Sequence, residues 1–566
     1  MSEFTTINST NLFSEYFLKF QSTNINVEHI PIPIPIPITE ITSTSSTSLE
    51  NENENENIIC LEPANTKFGI LNFKTIMTSL TEQEQDIIFM IDCSGSMSDT
   101  CNDGRSKMQH IIHTLKNMIM YFKENSNIKA HVTIYCFDDR IYNTLERSSI
   151  TNENYAEIIS KVDNIIPRDN TNIELALLKV KEYINKIKND YPNTNISHIF
   201  MTDGQITIGN SNAETLSELV DTTVTNAFIG FGIEHDSNLL ETISSGEKSN
   251  YYFIDKLENS GLVYGEILHD IVYKFLTNVK LTINNGLVYN FKKNIWVPTL
   301  NIGEIVSESN KIYHIVSSNE TNCFVTINGT IYNQNFEFII WSVKETEDLT
   351  KYIYRQRTLQ HLYIVRNDVG RLNNFYQSHY EKDKHNILKS QIKKNMFAFF
   401  QEMKKYMEDN NLTNDSFMKN LCDDIYICYK TFDKTYASMY ISARHSSQGA
   451  QRYYTVSETP QDITNNFNGF DGFDGFDASD ELDKDISFTP MKRLKRHKVN
   501  NYFNNMGNNS NTNNTNNTNN IDDIDGYQVS NFNDTPYLTP SSTQLMREIS
   551  NTQNIFTELK IKEKEN

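Results

Sequence analysis

The stretch Ile87-Ile88-Phe89-Met90-Ile91-Asp92-Cys93-Ser94-Gly95-Ser96-Met97 decides how this chain is read. A short apolar run of this kind is a strand buried on both faces, and it stops at a carboxylate followed by two hydroxyls at alternate positions. Every second side chain of an extended segment points the same way, so Asp92, Ser94 and Ser96 can offer three oxygens to one point. Hard oxygen donors suit a small divalent cation, Mg²⁺ or Mn²⁺, that wants near-octahedral coordination and keeps some of its waters. Alone the pattern is weak, because Asp and Ser also crowd strand-to-helix turns as caps.

Two more segments point to the same place. Pro167-Arg168-Asp169-Asn170-Thr171-Asn172 precedes a helix-period stretch with apolar residues at Ile173, Ala176, Leu177, Val180, Ile184 and Ile187. Ile199-Phe200-Met201-Thr202-Asp203-Gly204 is again an apolar strand ending on a carboxylate. Strands alternating with helices predict an α/β fold with a doubly wound, mostly parallel sheet, whose ligands bind beyond the carboxyl ends of the strands. Here the chain resembles the von Willebrand factor A domain, and the three segments are similar to its metal-ion-dependent adhesion site. The resemblance implies that Asp92, Ser94, Ser96, Thr171 and Asp203 are the ligands of Mg²⁺ (or Mn²⁺). It also implies that the hydroxyls touch the ion while the aspartates act mostly through water. An acidic residue of a partner protein would then complete the coordination. One departure is Asp169-Asn170, where the family often has glycines before the threonine.

Two other readings compete. A strand-end Asp92 could be the nucleophile of a Mg²⁺-dependent, phosphatase-like hydrolase, but haloacid-dehalogenase-like enzymes need a second Asp two residues on for proton transfer, and Ser94 stands there. A scaffold that no longer holds metal is the other. The expectation is a protein-interaction module and not an enzyme. His110 and His113 are three apart on a helix, where they could share a metal, although a partly solvated face is the commoner meaning. His445 beside Ser446 is no nucleophile–base pair, since adjacent side chains point apart.

A formal charge of −21 over 566 residues argues against nucleic acid and anionic membranes as partners. Apolar runs are too short to span a bilayer. Met1-Ser2-Glu3-Phe4 opens on an acid with no apolar run behind it, and the seven cysteines have no regular spacing. The expectation is a reduced, intracellular, cytoplasmic protein. The basic cluster Lys492–Lys498 could serve nuclear import, with Thr489-Pro490 beside it as a site where phosphorylation would weaken binding.

The organisation expected is a low-complexity tail at 1–65, an A domain at 66–276 and a β-rich, sandwich-like unit at 277–344. A helical unit with a closing loop follows at 345–457, then a disordered Asn/Asp-rich tail at 458–566. Candidate strands are Asp86–Ile91, Ala130–Phe137, Ser197–Thr202 and Thr223–Ile229, with Phe68–Phe73 as an edge strand. Candidate helices are Lys107–Lys123, Ile173–Lys188 and Leu262–Phe275. Asn328-Gly329 signals a hairpin turn. Leu388, Ile392, Met396, Phe399, Met403 and Met407 form one stripe, more often core than partner surface. Arg444–Tyr454 is polar and turn-like, and the last residues show a weak helix pattern at Leu545, Ile549, Phe556 and Leu559.

Overall fold

A computed structural model describes residues 12–21, 66–78, 84–452 and 536–550, except for breaks at 102–103, 169, 204–205, 233–234, 255–259, 333, 344–346, 374–378 and 435. An alternating Pro-Ile run at 31–38, the basic cluster at 492–498 and three Gly-Phe-Asp repeats at 469–477 lie outside the described residues.

The chain runs β1 (Phe13–Phe20), β2 (Lys67–Thr75), β3 (Gln85–Asp92), α1 (Lys107–Glu124), β4 (Ala130–Phe137), β5 (Ile141–Ser149), α2 (Tyr155–Asp163) and α3 (Ile173–Asp190). It continues through β6 (Asn195–Thr202), α4 (Ala213–Ser217), β7 (Thr225–Phe231), α5 (Ser237–Ile243), β8 (Ser249–Ile254) and α6 (Ser260–Val272). These last elements, from β3 onward, build one six-stranded sheet in the order β5-β4-β3-β6-β7-β8. Every pairing is parallel except β4 with β5, so the mostly parallel sheet expected from the alternation is present. All eight residues of β3 are buried, as a central strand covered by helices on both faces requires. On one face α1 supplies Met108, Ile111, Leu115 and Met118, and α6 supplies Val263, Ile267 and Ile271, to a single cluster with Ile87, Phe89 and Ile91. Each such side chain contributes roughly 1.5–3 kcal/mol by leaving water. Helix α3 buries the expected stripe at Ile173, Ala176, Leu177, Val180, Ile184 and Ile187. His110, by contrast, is buried on α1 and not part of a solvated face.

The remaining strands are β9 (Lys274–Asn284), β10 (Leu287–Asn290), β11 (Ile295–Val297), β12 (Thr299–Val306), β13 (Asn310–Ser317), β14 (Phe324–Ile331) and β15 (Gln334–Trp341). They form a sandwich of two sheets, β1-β2-β13-β10-β11 and β12-β9-β14-β15. Two expectations are corrected. Residues Phe13–Phe20, assigned to a structureless tail, form a strand. Phe68–Phe73, assigned to the edge of the α/β sheet, pairs instead with β1 and β13. The reason is apolar periodicity shared across a long insertion: Phe13, Leu18, Phe20, Leu71 and Phe73 bury against Leu281, Ile283, Val325 and Ile327. The α/β domain is therefore inserted into the sandwich between β2 and β9. The Asn328-Gly329 hairpin is also corrected. Both residues lie inside β14, opposite Glu337 and Phe336. Gly329 is needed there because the Phe336 ring lies where its Cβ would be, 2.9 Å away.

Four helices follow: α7 (Thr350–Asn373), α8 (His379–Asp409), α9 (Ser416–Thr431) and α10 (Ala437–Ala450). Ile392, Met396, Phe399, Met403 and Met407 are core, as packing predicts, whereas Leu388 is exposed. The turn-like reading of Arg444–Tyr454 fails at its first half, which is the last part of α10. Several of its polar residues have buried partners: Arg444 and Gln448 reach Asp424, and Ser442 donates to Glu241 of α5 at 2.8 Å. A last helix at 540–550 lies in the stretch expected to be disordered. It buries Leu545 and Ile549 in the core cluster beneath α1 and α6, against a backbone approach that only Gly265 permits. Among the described residues no helix is long and apolar enough to cross a membrane.

Candidate metal centre

Parallel pairing of β3 with β4 and β6 brings three strand ends to one rim: Asp92 sits opposite Phe137, and Ile91 opposite Met201. Asp92 is the last residue of β3, and its side chain is fully buried. Its Oδ1 accepts from the Ser94 amide at 2.8 Å and its Oδ2 from Thr202 Oγ1 at 2.6 Å. Burial pushes the Asp92 carboxyl up to about 6. The bonds from Thr202 and Ser94 pull it back, and the nearby Asp203 adds repulsion.

A single 3-10 turn, Gly95–Ser98, carries Ser96, and Met97 pins that turn by burying itself. Ser94 Oγ and Ser96 Oγ are 3.1 Å apart, and Ser96 Oγ donates to Asp203 Oδ1 at 2.8 Å. The other oxygen of Asp203 holds the Lys107 ammonium at 2.5 Å, which also lies 3.5 Å from Asp99. Lys107 opens α1, whose start is fixed by a capping box in which Ser106 and Gln109 exchange hydrogen bonds.

Thr171 arrives on the loop before α3. That loop is tied to the same rim by Arg168 N–H donating to the Cys93 carbonyl at 2.6 Å and Asn172 N–H donating to the Asp138 carbonyl at 2.9 Å. Thr171 is buried, and its amide donates to Thr207 Oγ1 at 2.8 Å. Four of the five expected ligands, Asp92, Ser94, Ser96 and Asp203, thus sit in one local cluster. Ser96 links Ser94 to Asp203, and Asp92 is bonded to the Ser94 backbone. The fifth, Thr171, is positioned through its backbone, and among the described residues its hydroxyl is not hydrogen-bonded to the four. Asp169 and Gly204 lie outside the described residues.

No three His, Cys, Asp or Glu side chains converge as a metal cluster among the described residues. The rim offers a different donor set, two carboxylates and several hydroxyls, the hard oxygen type that small divalent cations take. Sequence reasoning missed Lys107 and Thr202. The capping box at Ser106 signals where α1 starts, but nothing in the spacing says that the first side chain of that helix turns back to Asp203.

Residues 86–269 match the family model of the von Willebrand factor type A domain. The chain is 26% identical over 254 residues to a von Willebrand factor A domain-containing protein of Dictyostelium discoideum, covering 44% of this chain and 26% of that one. It is 26% identical over 235 residues to inter-alpha-trypsin inhibitor heavy chain H3 of Mus musculus, covering 39% and 25%. The chain spans about a quarter of the length of these curated relatives. Among solved structures it is similar to the ArnB paralog VWA2 from Sulfolobus acidocaldarius, with a TM-score of 0.43 and 16% identity over 68% of this chain and 94% of that one.

Proposed function

Residues 86–269 are a von Willebrand factor type A domain, and from that premise we propose that the protein captures partner proteins through a divalent cation held at the rim of its parallel sheet. The observation that carries the reading is the cluster of Asp92, Ser94, Ser96 and Asp203 at the carboxyl ends of adjacent strands.

The residues fit Mg²⁺ or Mn²⁺ by chemistry. Asp92 and Asp203 supply anionic oxygen, Ser94, Ser96 and Thr171 supply neutral oxygen, and a cationic head already lies against Asp203. A divalent ion held there would supply positive charge that attracts a further carboxylate. Each residue of the chain has a separate task. Thr202 and the Ser94 amide hold both oxygens of Asp92, which orients that carboxylate. Ser96 fixes the rotamer of Asp203. Asn172 caps α3 by accepting from the Leu175 amide at 3.0 Å and so sets where Thr171 stands. An acidic side chain on the partner protein is the complementary group. The same geometry weighs against a hydrolase, because Asp92 is buried with both oxygens engaged by Thr202 and the Ser94 amide. The free thiols of Cys93, Cys136, Cys323, Cys422 and Cys428 fit a reducing, intracellular setting.

Calorimetric titration of the full chain with Mg²⁺ tests the reading, with Ser96→Ala as the comparison. Saturable heat that Ser96→Ala abolishes is the expected result. Capture of partners that EDTA releases, and that Ser96→Ala does not retain, is expected alongside it. Identical traces for the two proteins would remove the metal from the account.

A further inference from the structure

A cavity of about 760 Å³ opens at the amino ends of β7 and β8, the opposite rim of the sheet from Asp92. Its walls come from α6, from the sandwich strands β10 to β13, from the end of α10 and from the 537–542 segment. Lys292, Lys311, Arg355 and Arg452 line it, together with Lys248 and Lys293. Arg355 is 3% exposed and Arg452 7% exposed.

Buried charges in proteins are ordinarily paired, because an uncompensated ion loses its hydration for nothing. Among the described residues none of these four is in an ion pair. Lys292 donates to the Gly246 and Ser249 carbonyls at 2.6 Å each, and Lys311 to the Ala450 and Gln451 carbonyls at 2.9 and 3.4 Å. Arg355 donates to the Ile312 and Gln448 carbonyls at 3.1 and 2.9 Å, and Arg452 to the Tyr251 carbonyl and Ser446 Oγ at 3.0 and 2.8 Å. Those bonds leave donors over. Arg355 Nε, Arg452 Nε and Arg452 Nη1 are buried and have no acceptor among the described residues. Burial, with Arg452 nearby, pushes the Lys292 ammonium down to about 7. Burial also lowers Lys311 to about 8. Glu247, Glu266 and Asp270 line the same space, Glu266 and Asp270 attract Lys311 and Arg452 electrostatically, and Glu304 there is taken by Lys274 at 2.7 Å.

Convergent cations, spare guanidinium N–H groups and a volume in the range of small-molecule sites share one complement. We propose that this cavity binds a small molecule bearing several phosphate groups, held by Lys292, Lys311, Arg355 and Arg452. Phosphate oxygens supply the acceptors the guanidinium forks lack, and Arg forks match phosphate geometry. Tyr537, Thr539 and Ser542 line the cavity too, so an occupied site fastens the 540–550 helix to the body of the molecule.

The test uses the full chain with myo-inositol hexakisphosphate as the probe and inorganic phosphate as the single-anion comparison. A saturable rise of several degrees in the thermal midpoint is expected with the first, and at least tenfold weaker binding with the second. Lys311→Met is expected to weaken probe binding at least tenfold, and Lys161→Met, on the exposed face of α2, to leave it unchanged. The proposal is overturned by no saturable response, by equal affinity for the two anions, or by a response that Lys311→Met retains in full. Should Lys311→Met fail to fold, hydrogen exchange of the wild-type chain decides. The probe is expected to protect amides near 292, 452 and 540–550, and unchanged exchange there overturns the proposal.

Discussion

The Lys107 ammonium lies 2.5 Å from Asp203 Oδ2, and the two side chains come from opposite sides of the rim, one opening α1 and the other following β6. The pair is partly sheltered, with the lysine side chain 14% exposed and the aspartate 0%. Truncating the lysine leaves a buried carboxylate without its cation. Lys107→Met should therefore lose about 1–3 kcal/mol of stability in EDTA. On the metal reading Mg²⁺ restores that loss and binds more tightly than to the wild type. Urea unfolding with and without Mg²⁺ checks this; an unfolding midpoint of Lys107→Met that Mg²⁺ does not move would count against competition between ammonium and metal.

Acid should weaken the fold through its buried imidazoles. Burial lowers His198 and His235 from their ordinary range to about 4, with partial relief from Asn226 and from the Gly232 carbonyl respectively. Each is neutral in the fold and binds a proton only when unfolded. The stability they contribute is present above the unfolded pKa near 6.5 and is lost as pH falls from there towards 4. The slope is at most about 1.4 kcal/mol per pH unit for each histidine. Unfolding free energies at pH 7, 6 and 5 measure it. His198→Gln should flatten the slope by close to one proton's worth.

Gly265 should be intolerant of any side chain. A Cβ there would lie 2.6 Å from Met546 Cα, so the 540–550 helix would have to move away. Gly265→Val is expected to raise hydrogen exchange across 540–550 and to destabilise the α/β domain by a few kcal/mol, since Leu545 and Ile549 leave its core. Exchange as slow as in the wild type would mean that the helix packs elsewhere.

Gly449 makes a similar demand on α10. A Cβ would fall 2.0 Å from Phe291 Cδ2, which outweighs the roughly 1 kcal/mol that alanine gains over glycine in a helix. Gly449→Ala should be destabilising alone and much less so together with Phe291→Leu. A double-mutant cycle in chemical denaturation reads the coupling, and simple additivity would place the strain elsewhere.

The α/β sheet was legible because its strands are short, apolar and bounded. Ala130–Phe137 agrees at both ends, and β3 and β6 agree to within two residues. That Asp92, Ser94, Ser96 and Asp203 meet at one rim was legible for the same reason, as period two and strand-end carboxylates are local signals. Long-range pairing was not legible. Nothing near Phe13 or Phe68 says that their partners lie beyond an inserted domain. Asn328-Gly329 misled because its turn signal is outweighed by Phe336 packing over the glycine. The polar sequence of α10 looked like a loop, since its helix depends on Asp424 and Glu241, which only the assembled fold brings near. The cationic cavity has no motif at all: Lys292, Lys311, Arg355 and Arg452 are scattered along the chain and meet only in space.

Strand β2 must wait for its neighbour. Leu71 pairs with Tyr313, more than two hundred residues later, and the whole inserted domain is synthesised in between. On a ribosome the α/β domain can close on its own local contacts while β1 and β2 remain an unfinished edge, at most a two-stranded ribbon. Such an edge is a template for pairing with other chains, and late closure of the sandwich is the step at which this protein is most exposed to aggregation.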